Sequence, residues 1–140
     1  MSRIFWDTNL FVYLLESNEE FSAMTRELRV RMLRRGDQLL TSTMTLGEVL
    51  VKATQAGDAD RCRKYERAIA LSATIVPFDG TAARHYASIK SSRSVQSPDA
   101  VQLSCAASVG VDLFITNDDR LQNKQVSGIQ FIVPVTRVPI

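Results

Sequence analysis

The sequence is poor in the side chains that bind soft metals. Its 140 residues include one histidine, His85, and two cysteines, Cys62 and Cys105. The cysteines have neither zinc-ligand nor disulfide-framework spacing, so the expectation is reduced, buried thiols in a cytosolic protein. No apolar run approaches the ~18 residues of a membrane span. Asp7 interrupts the amino-terminal apolar stretch before it can serve as a signal-peptide core. These absences predict a soluble, cytoplasmic protein with no membrane association. Six glycines and four prolines are too scattered to form a linker. With no repeat and no low-complexity segment, residues 1–140 read as one domain. A formal net charge of +2 is too small to name a partner.

What remains is an ordinary globular composition, 45% hydrophobic and 23% charged, in a chain long enough to bury a core. Short apolar runs at Ile4-Phe5-Trp6, Leu39-Leu40, Thr74-Ile75-Val76, Leu113-Phe114-Ile115 and Phe131-Ile132-Val133 suit buried parallel strands. Helical stripes lie between them. One is Phe21, Met24, Leu28 and Met32; a second is Leu46, Val49, Leu50 and Ala53. A third is Cys62, Tyr65 and Ile69, and a fourth is Ala83, Tyr86 and Ala87 with Lys90 outside. Residues 97 to 109 are apolar nearly all round and rich in small side chains, which fits a helix packed closely on a sheet. Strands alternating with helices predict an α/β fold whose parallel sheet is covered on both faces. Periodicity does not order the strands.

Four acids map to the carboxyl edge of such a sheet, where α/β folds bind ligands. Asp7 follows the first strand and Asp118 the fourth. Glu48 falls in the first turn of a helix beginning near Thr45, and Asp99 opens the helix that leads into the fourth strand. Each has a plain structural reading. Asp7 or Thr8 caps the next helix. Thr45-Leu46-Gly47-Glu48 is a capping box, and Glu48 with Lys52 is an i,i+4 pair. Ser97-Pro98-Asp99 reads as cap, N1 proline and a dipole partner. Asp118 or Asp119 caps a short helix containing Leu121. Taken together the acids say more, since four carboxylates at one edge repel unless cations lie among them. An oxygen-only set points to hard divalent ions such as magnesium rather than zinc. Two such ions activate water and stabilise the leaving oxygen in attack on phosphorus. Grouping four acids leaves a basic remainder, which suits a polyanionic substrate.

Asp7-Thr8-Asn9, Ser42 through Thr45 leading to Glu48, Ser97-Pro98-Asp99-Ala100 and Thr116-Asn117-Asp118 occur in that order along essentially the whole chain. The set resembles PIN domains, in particular the VapC-type toxins of bacterial toxin–antitoxin pairs. The resemblance implies a doubly wound, mostly five-stranded parallel sheet flanked by helices. It implies bound Mg2+, with Mn2+ as the alternative, and hydrolysis of RNA phosphodiesters. It also implies a homodimer and a small antitoxin that blocks the site. Carried over by position, Asp7 and Asp99 are the main metal ligands, Glu48 a ligand directly or through water, and Asp118 the acid that completes the pocket. Thr116 would orient ligands, with Thr8 and Asn9 as supporting polar groups.

Other charged features have weaker claims. Arg26, Arg29, Arg31, Arg34 and Arg35 form either a solvated helix face or an RNA contact. Arg61, Arg63, Lys64 and Arg67 read as a solvated face, and Arg93, near Asp99, is the better candidate for a phosphate contact. His85 lies far from the four motifs, and alternation along the strand sends Trp6 to the opposite face from Asp7. Three rival functions are weighed. An aspartyl phosphatase needs Asp-x-Asp after the first strand, where Asn9 holds the third position. A phospho-receiver domain needs paired early acids and a lysine after the fifth strand, where only Arg137 stands. An inactive PIN-like binding module would lack one or more of the four acids, and all are present.

Overall fold

The computed structural model describes residues 1–92 and 94–140. Each apolar run forms a strand: β1 (Arg3–Trp6), β2 (Gln38–Ser42), β3 (Thr74–Val76), β4 (Val111–Ile115) and β5 (Ile129–Val133). They join in one sheet, order β3-β2-β1-β4-β5, with every neighbouring pair parallel. Six helices connect and cover them: α1 (Thr8–Leu15), α2 (Ser22–Arg35), α3 (Thr43–Gln55), α4 (Ala59–Ser72), α5 (Gly80–Ser92) and α6 (Ser97–Val109). No described helix is long and apolar enough to cross a membrane.

Strand alternation divides the core into two layers. Ile4 stands beside Leu39 and Leu113, and Trp6 beside Ile115, in register across the sheet. These side chains meet Leu10 and Phe11 of α1, Leu28 and Met32 of α2, Val49 of α3 and Ile69 of α4. Phe5 points the other way and stacks on Phe114, ring centroids 5.1 Å apart, beneath α5 and α6. Burial of each such side chain contributes about 1.5–3 kcal/mol. Small residues on α6 (Ala100, Ala106 and Ala107) are buried, which lets this helix lie close to the strands.

The α2 stripe is borne out at Leu28 and Met32, which are buried, and at Phe21, which packs on the core, whereas Met24 is exposed and Thr25 is buried beside it. Helix α5 is rotated from the phase the sequence suggests. In α5 it is Ala82 and Ile89 that enter the core, with Tyr86 packed beside them, while Ala83 and Ala87 face outward. The start of α5 explains its phase: the Asp79 carboxylate accepts the Ala82 amide at 3.0 Å and fixes the first turn. The basic end of α2 lies at the amino edge of the sheet. Arg35 pairs there with buried Asp37, just before β2, at 2.8 Å.

The strand order produces the feature that matters most. The chain moves from β1 out to β3 on one side, then returns to place β4 against the other flank of β1. A crevice therefore opens at the carboxyl ends of β1 and β4, the place where open α/β sheets receive ligands.

Gly128 leads into β5 with φ +97°, and its backbone abuts α6 so closely that an added Cβ would lie 2.7 Å from the Ala107 carbonyl oxygen. Gly128→Ala is expected to lower stability by about 1–3 kcal/mol through backbone strain and overpacking, as read from denaturant unfolding.

Candidate active site

Asp7 emerges from β1 into the crevice and caps α1, its Oδ1 accepting the Thr8 amide at 2.8 Å. The cap and the candidate site are thus one carboxylate. Only 7% of the residue is exposed. Oδ1 also accepts from Gln102 Nε2 at 3.0 Å, and Oδ2 accepts from Thr116 Oγ1 at 2.7 Å. Burial holds the Asp7 carboxyl above its ordinary 3.8, against the opposing pull of the Thr116 hydroxyl, the Thr8 amide and the Gln102 amide; the charge on Asp118 adds to the rise.

Gln102 organises the surrounding polar groups. Its Oε1 accepts from Ser42 Oγ, which orients the amide. Its Nε2 then faces Asp7 Oδ1, Thr45 Oγ1 at 2.7 Å and Thr8 Oγ1 at 3.1 Å. Thr8 Oγ1 donates to Glu48 Oε1 at 2.6 Å, so the 3.3 Å contact between Thr8 and Thr45 uses the Thr45 proton. Glu48 is therefore linked to Asp7 through Thr8. The capping-box reading of Glu48 is corrected here. Helix α3 starts at Thr43 with Ser42 as its cap, so Glu48 lies beyond the first turn and turns toward α1.

Asp99 stands in the first turn of α6, with Pro98 just ahead of it; the capping position is Gln96 rather than Ser97. Its carboxyl is held above the ordinary value, first by burial, then by the charges of Asp118 and Asp7 and, more weakly, of Glu48, with Arg120 opposing. Asp118 follows β4 and is positioned by its own amide, which donates to Thr116 Oγ1 at 3.1 Å. Asp118, not Asp119, caps the short 3-10 helix Asp119–Leu121, and Asp119 is exposed. Arg120 forks onto Asp118 with Nε 3.0 Å from Oδ1 and Nη2 2.6 Å from Oδ2, and the same Nη2 lies 3.5 Å from Asp99 Oδ2. The guanidinium hydrogen bonds hold Asp118 below the ordinary carboxylate range.

Residues 4–126 match the sequence profile of the PIN domain. The chain belongs to the PIN domain family. No curated protein gives a significant sequence match. Among solved structures, the fold is similar to that of VapBC2 from Rickettsia felis bound to a promoter DNA fragment (TM-score 0.74, 12% identity, 94% of this chain and 98% of that chain). It is also similar to DNA-bound VapBC from Salmonella typhimurium (0.73, 21%, 96% and 99%). A third is VapBC-5 from Mycobacterium tuberculosis, of the VapBC family of toxin–antitoxin systems (0.61, 22%, 95% and 99%). At these identities the likeness is one of fold.

Within this PIN domain, Asp7, Thr8, Glu48, Asp99, Thr116 and Asp118 share one edge and are joined by hydrogen bonds or by charge. Asn9 is not part of that network: its Oδ1 is buried with no hydrogen-bond partner among the described residues. Arg93 lies outside the described residues. Among the described residues, no three His, Cys, Asp or Glu side chains stand close enough to hold a metal ion directly. Magnesium does not require that, because it commonly keeps several waters and takes one or two carboxylates. The donor set fits such an ion, being all oxygen, with like charges on Asp99 and a cation, Arg120, already between two of the acids.

Gln102 and Arg120 were not identified from the sequence. The signal for Gln102 was present: an amide in an otherwise apolar helix, one turn after Asp99 and therefore on the same face. Arg120 gave none, since an arginine two residues after an acid is commonplace.

Replacing Gln102 by Leu would leave the buried hydroxyls of Ser42 and Thr45 short of partners. Gln102→Leu is expected to cost about 1–3 kcal/mol in denaturant unfolding and to raise the Asp7 carboxyl further in an NMR titration.

Asp7 sets a pH dependence of the opposite sign to that of a salt-bridged acid. A carboxyl raised on folding costs nothing well below its ordinary 3.8; its penalty grows as pH climbs from that value to the raised one and stays constant above it. Asp7→Asn keeps the cap and removes the charge. In EDTA near neutral pH, the variant should melt at or above the wild-type temperature, and the difference should vanish near about pH 3.

Proposed function

We propose that this PIN domain is a divalent-metal-dependent endoribonuclease and the toxin of a toxin–antitoxin pair. The observation that carries the reading is the meeting of acids at the β1–β4 crevice. Asp7 comes from one strand end, Asp118 from the next, Asp99 from α6 and Glu48 from α3, with Thr8 joining Asp7 to Glu48 and Arg120 bridging Asp118 and Asp99. Membership of a nuclease family supports the same reading.

Asp7 and Asp99 would be the main ligands of the ion, Mg2+ or Mn2+, with Glu48 and Asp118 reaching it through its waters. Once bound, it supplies activation of water and stabilisation of the leaving oxygen at the scissile phosphate. The chain's own residues prepare for it. Thr116, Thr8 and Gln102 fix the Asp7 carboxylate by donating to it, which leaves its orientation little freedom. Thr8 aims Glu48, and Thr116 sets the turn that presents Asp118. A small antitoxin as partner is supported by the structural neighbours, which are themselves toxin–antitoxin complexes. A homodimer, cytoplasmic location and an organisation as one domain over residues 1–140 belong to the same reading.

The test is cleavage of RNA by the purified chain with Mg2+ or Mn2+, beside the same reaction in EDTA. Cleavage is expected only with the ion, and undiminished cutting in EDTA would overturn the metal-dependent reading. Asp118→Asn is expected to reduce the rate about 100-fold or more, at the scale of a lost metal contact or its support. Asp119→Asn should keep most activity because that side chain is exposed and caps nothing. RNA binding without cleavage under any ion would favour the binding-module alternative.

A further inference from the structure

Arg120 carries the largest unexplained interaction at the edge of the sheet. Its guanidinium engages both oxygens of Asp118 and reaches Asp99, so it occupies the ground between two acids from different elements. A cation seated there opposes the approach of another by like-charge repulsion, and Asp118 Oδ1 already accepts from both the amide and Nε of Arg120. Yet Arg120 is not locked in place. Its side chain is 59% exposed, and it sits on a one-turn 3-10 helix directly after Asp118. Its only described side-chain partners are these two acids. Rotation about the side-chain bonds is enough to release it, with no movement of the strand ends.

Release has a destination. Arg120 and Asp99 also line a groove of ≈ 550 Å³ with Lys90, Gln96 and Lys124. Among the described residues the cations that line it are Arg120, Lys124 and Lys90, the last of which donates to the Val95 carbonyl at 2.7 Å. A guanidinium fork that fits a carboxylate fits a phosphate in the same bidentate way.

We infer that Arg120 is a built-in counter-ion: it bridges Asp99 and Asp118 while no divalent ion is bound, yields when one binds, and then grips a phosphate of the substrate in the adjoining groove. The inference rests on the metal-dependent nuclease reading and adds a residue to it. Ion binding and phosphate binding are thereby coupled, because the same event that neutralises the acids frees the fork.

The experiment compares wild type with Arg120→Gln and Arg120→Lys. Mn2+ affinity is measured by titration calorimetry on the full chain without RNA. Arg120→Gln should bind Mn2+ more tightly, by roughly threefold or more, since the ion no longer displaces a cation. Arg120→Lys should fall between, keeping the charge but not the fork. In parallel, anisotropy follows binding of a short single-stranded RNA across a salt series, in Ca2+ and in EDTA, with intact RNA checked on a gel. Arg120→Gln should lower the salt slope by about one counter-ion in Ca2+ and leave it unchanged in EDTA, where the wild-type arginine is held by the acids. Thermal melts establish that the variants are folded. Mn2+ binding by wild type with no gain in Arg120→Gln would overturn the inference alone, as would an unchanged slope in Ca2+. No Mn2+ binding by either protein would remove the metal-dependent reading and the inference with it.

Discussion

The arrangement of the edge depends on one buried carboxylate. Asp7 is delivered to the crevice by the central strand of the sheet and is held there by donors from three directions: the amide of α1, the hydroxyl after β4 and the amide of Gln102 on α6. A desolvated charge is unfavourable without such partners. The three donors offset part of that cost and fix the oxygens' directions. They also tie together the elements that flank the crevice. Loss of any one would loosen the site and leave a polar group short of a partner, so the local stability and the proposed chemistry rest on the same contacts.

The charge distribution follows from where the helices run. The arginines at the end of α2 lie at the amino edge of the sheet, and Arg35 is engaged by buried Asp37. Arg29 reaches the Ser72 carbonyl, and Arg61 pairs with Glu16. Arg29 and Arg61 therefore each tie a helix to another segment. Among the described residues, Lys90, Arg120 and Lys124 line the groove beside Asp99. The proposed substrate contact thus lies near Asp99 and away from the densest basic run in the sequence.

The solved relatives keep the same architecture at 12–22% identity. That is physically reasonable for a sheet whose two faces are both covered. Such a sheet asks for apolar strands and small helix residues of about the right volume, which many sequences supply. The demands at the crevice are narrower, because buried oxygens need particular donors at particular distances.

The sequence alone determined the strands, since their apolar runs are local and intense, and it determined which acids follow them. Residues Ile4 to Trp6 and Leu113 to Ile115 announce two strands; Asp7 comes directly after the first and Asp118 three residues after the second. Tertiary structure alone decided the order of the strands, because pairing joins segments far apart in the chain. It set the rotation of α5, where Ala83 and Ala87 match the helical period but face solvent, and it left Met24 of α2 exposed. It moved Glu48 from a supposed capping box to Thr8, as the cap of α3 lies at Ser42, three residues before Thr45. Gln102 gains its role only when α6 packs over the end of β1. Arg120 gains its own only when Asp99 and Asp118, separate in sequence, are brought to one edge. Periodicity records what a residue can bury; which charges meet is decided by the packing of distant segments.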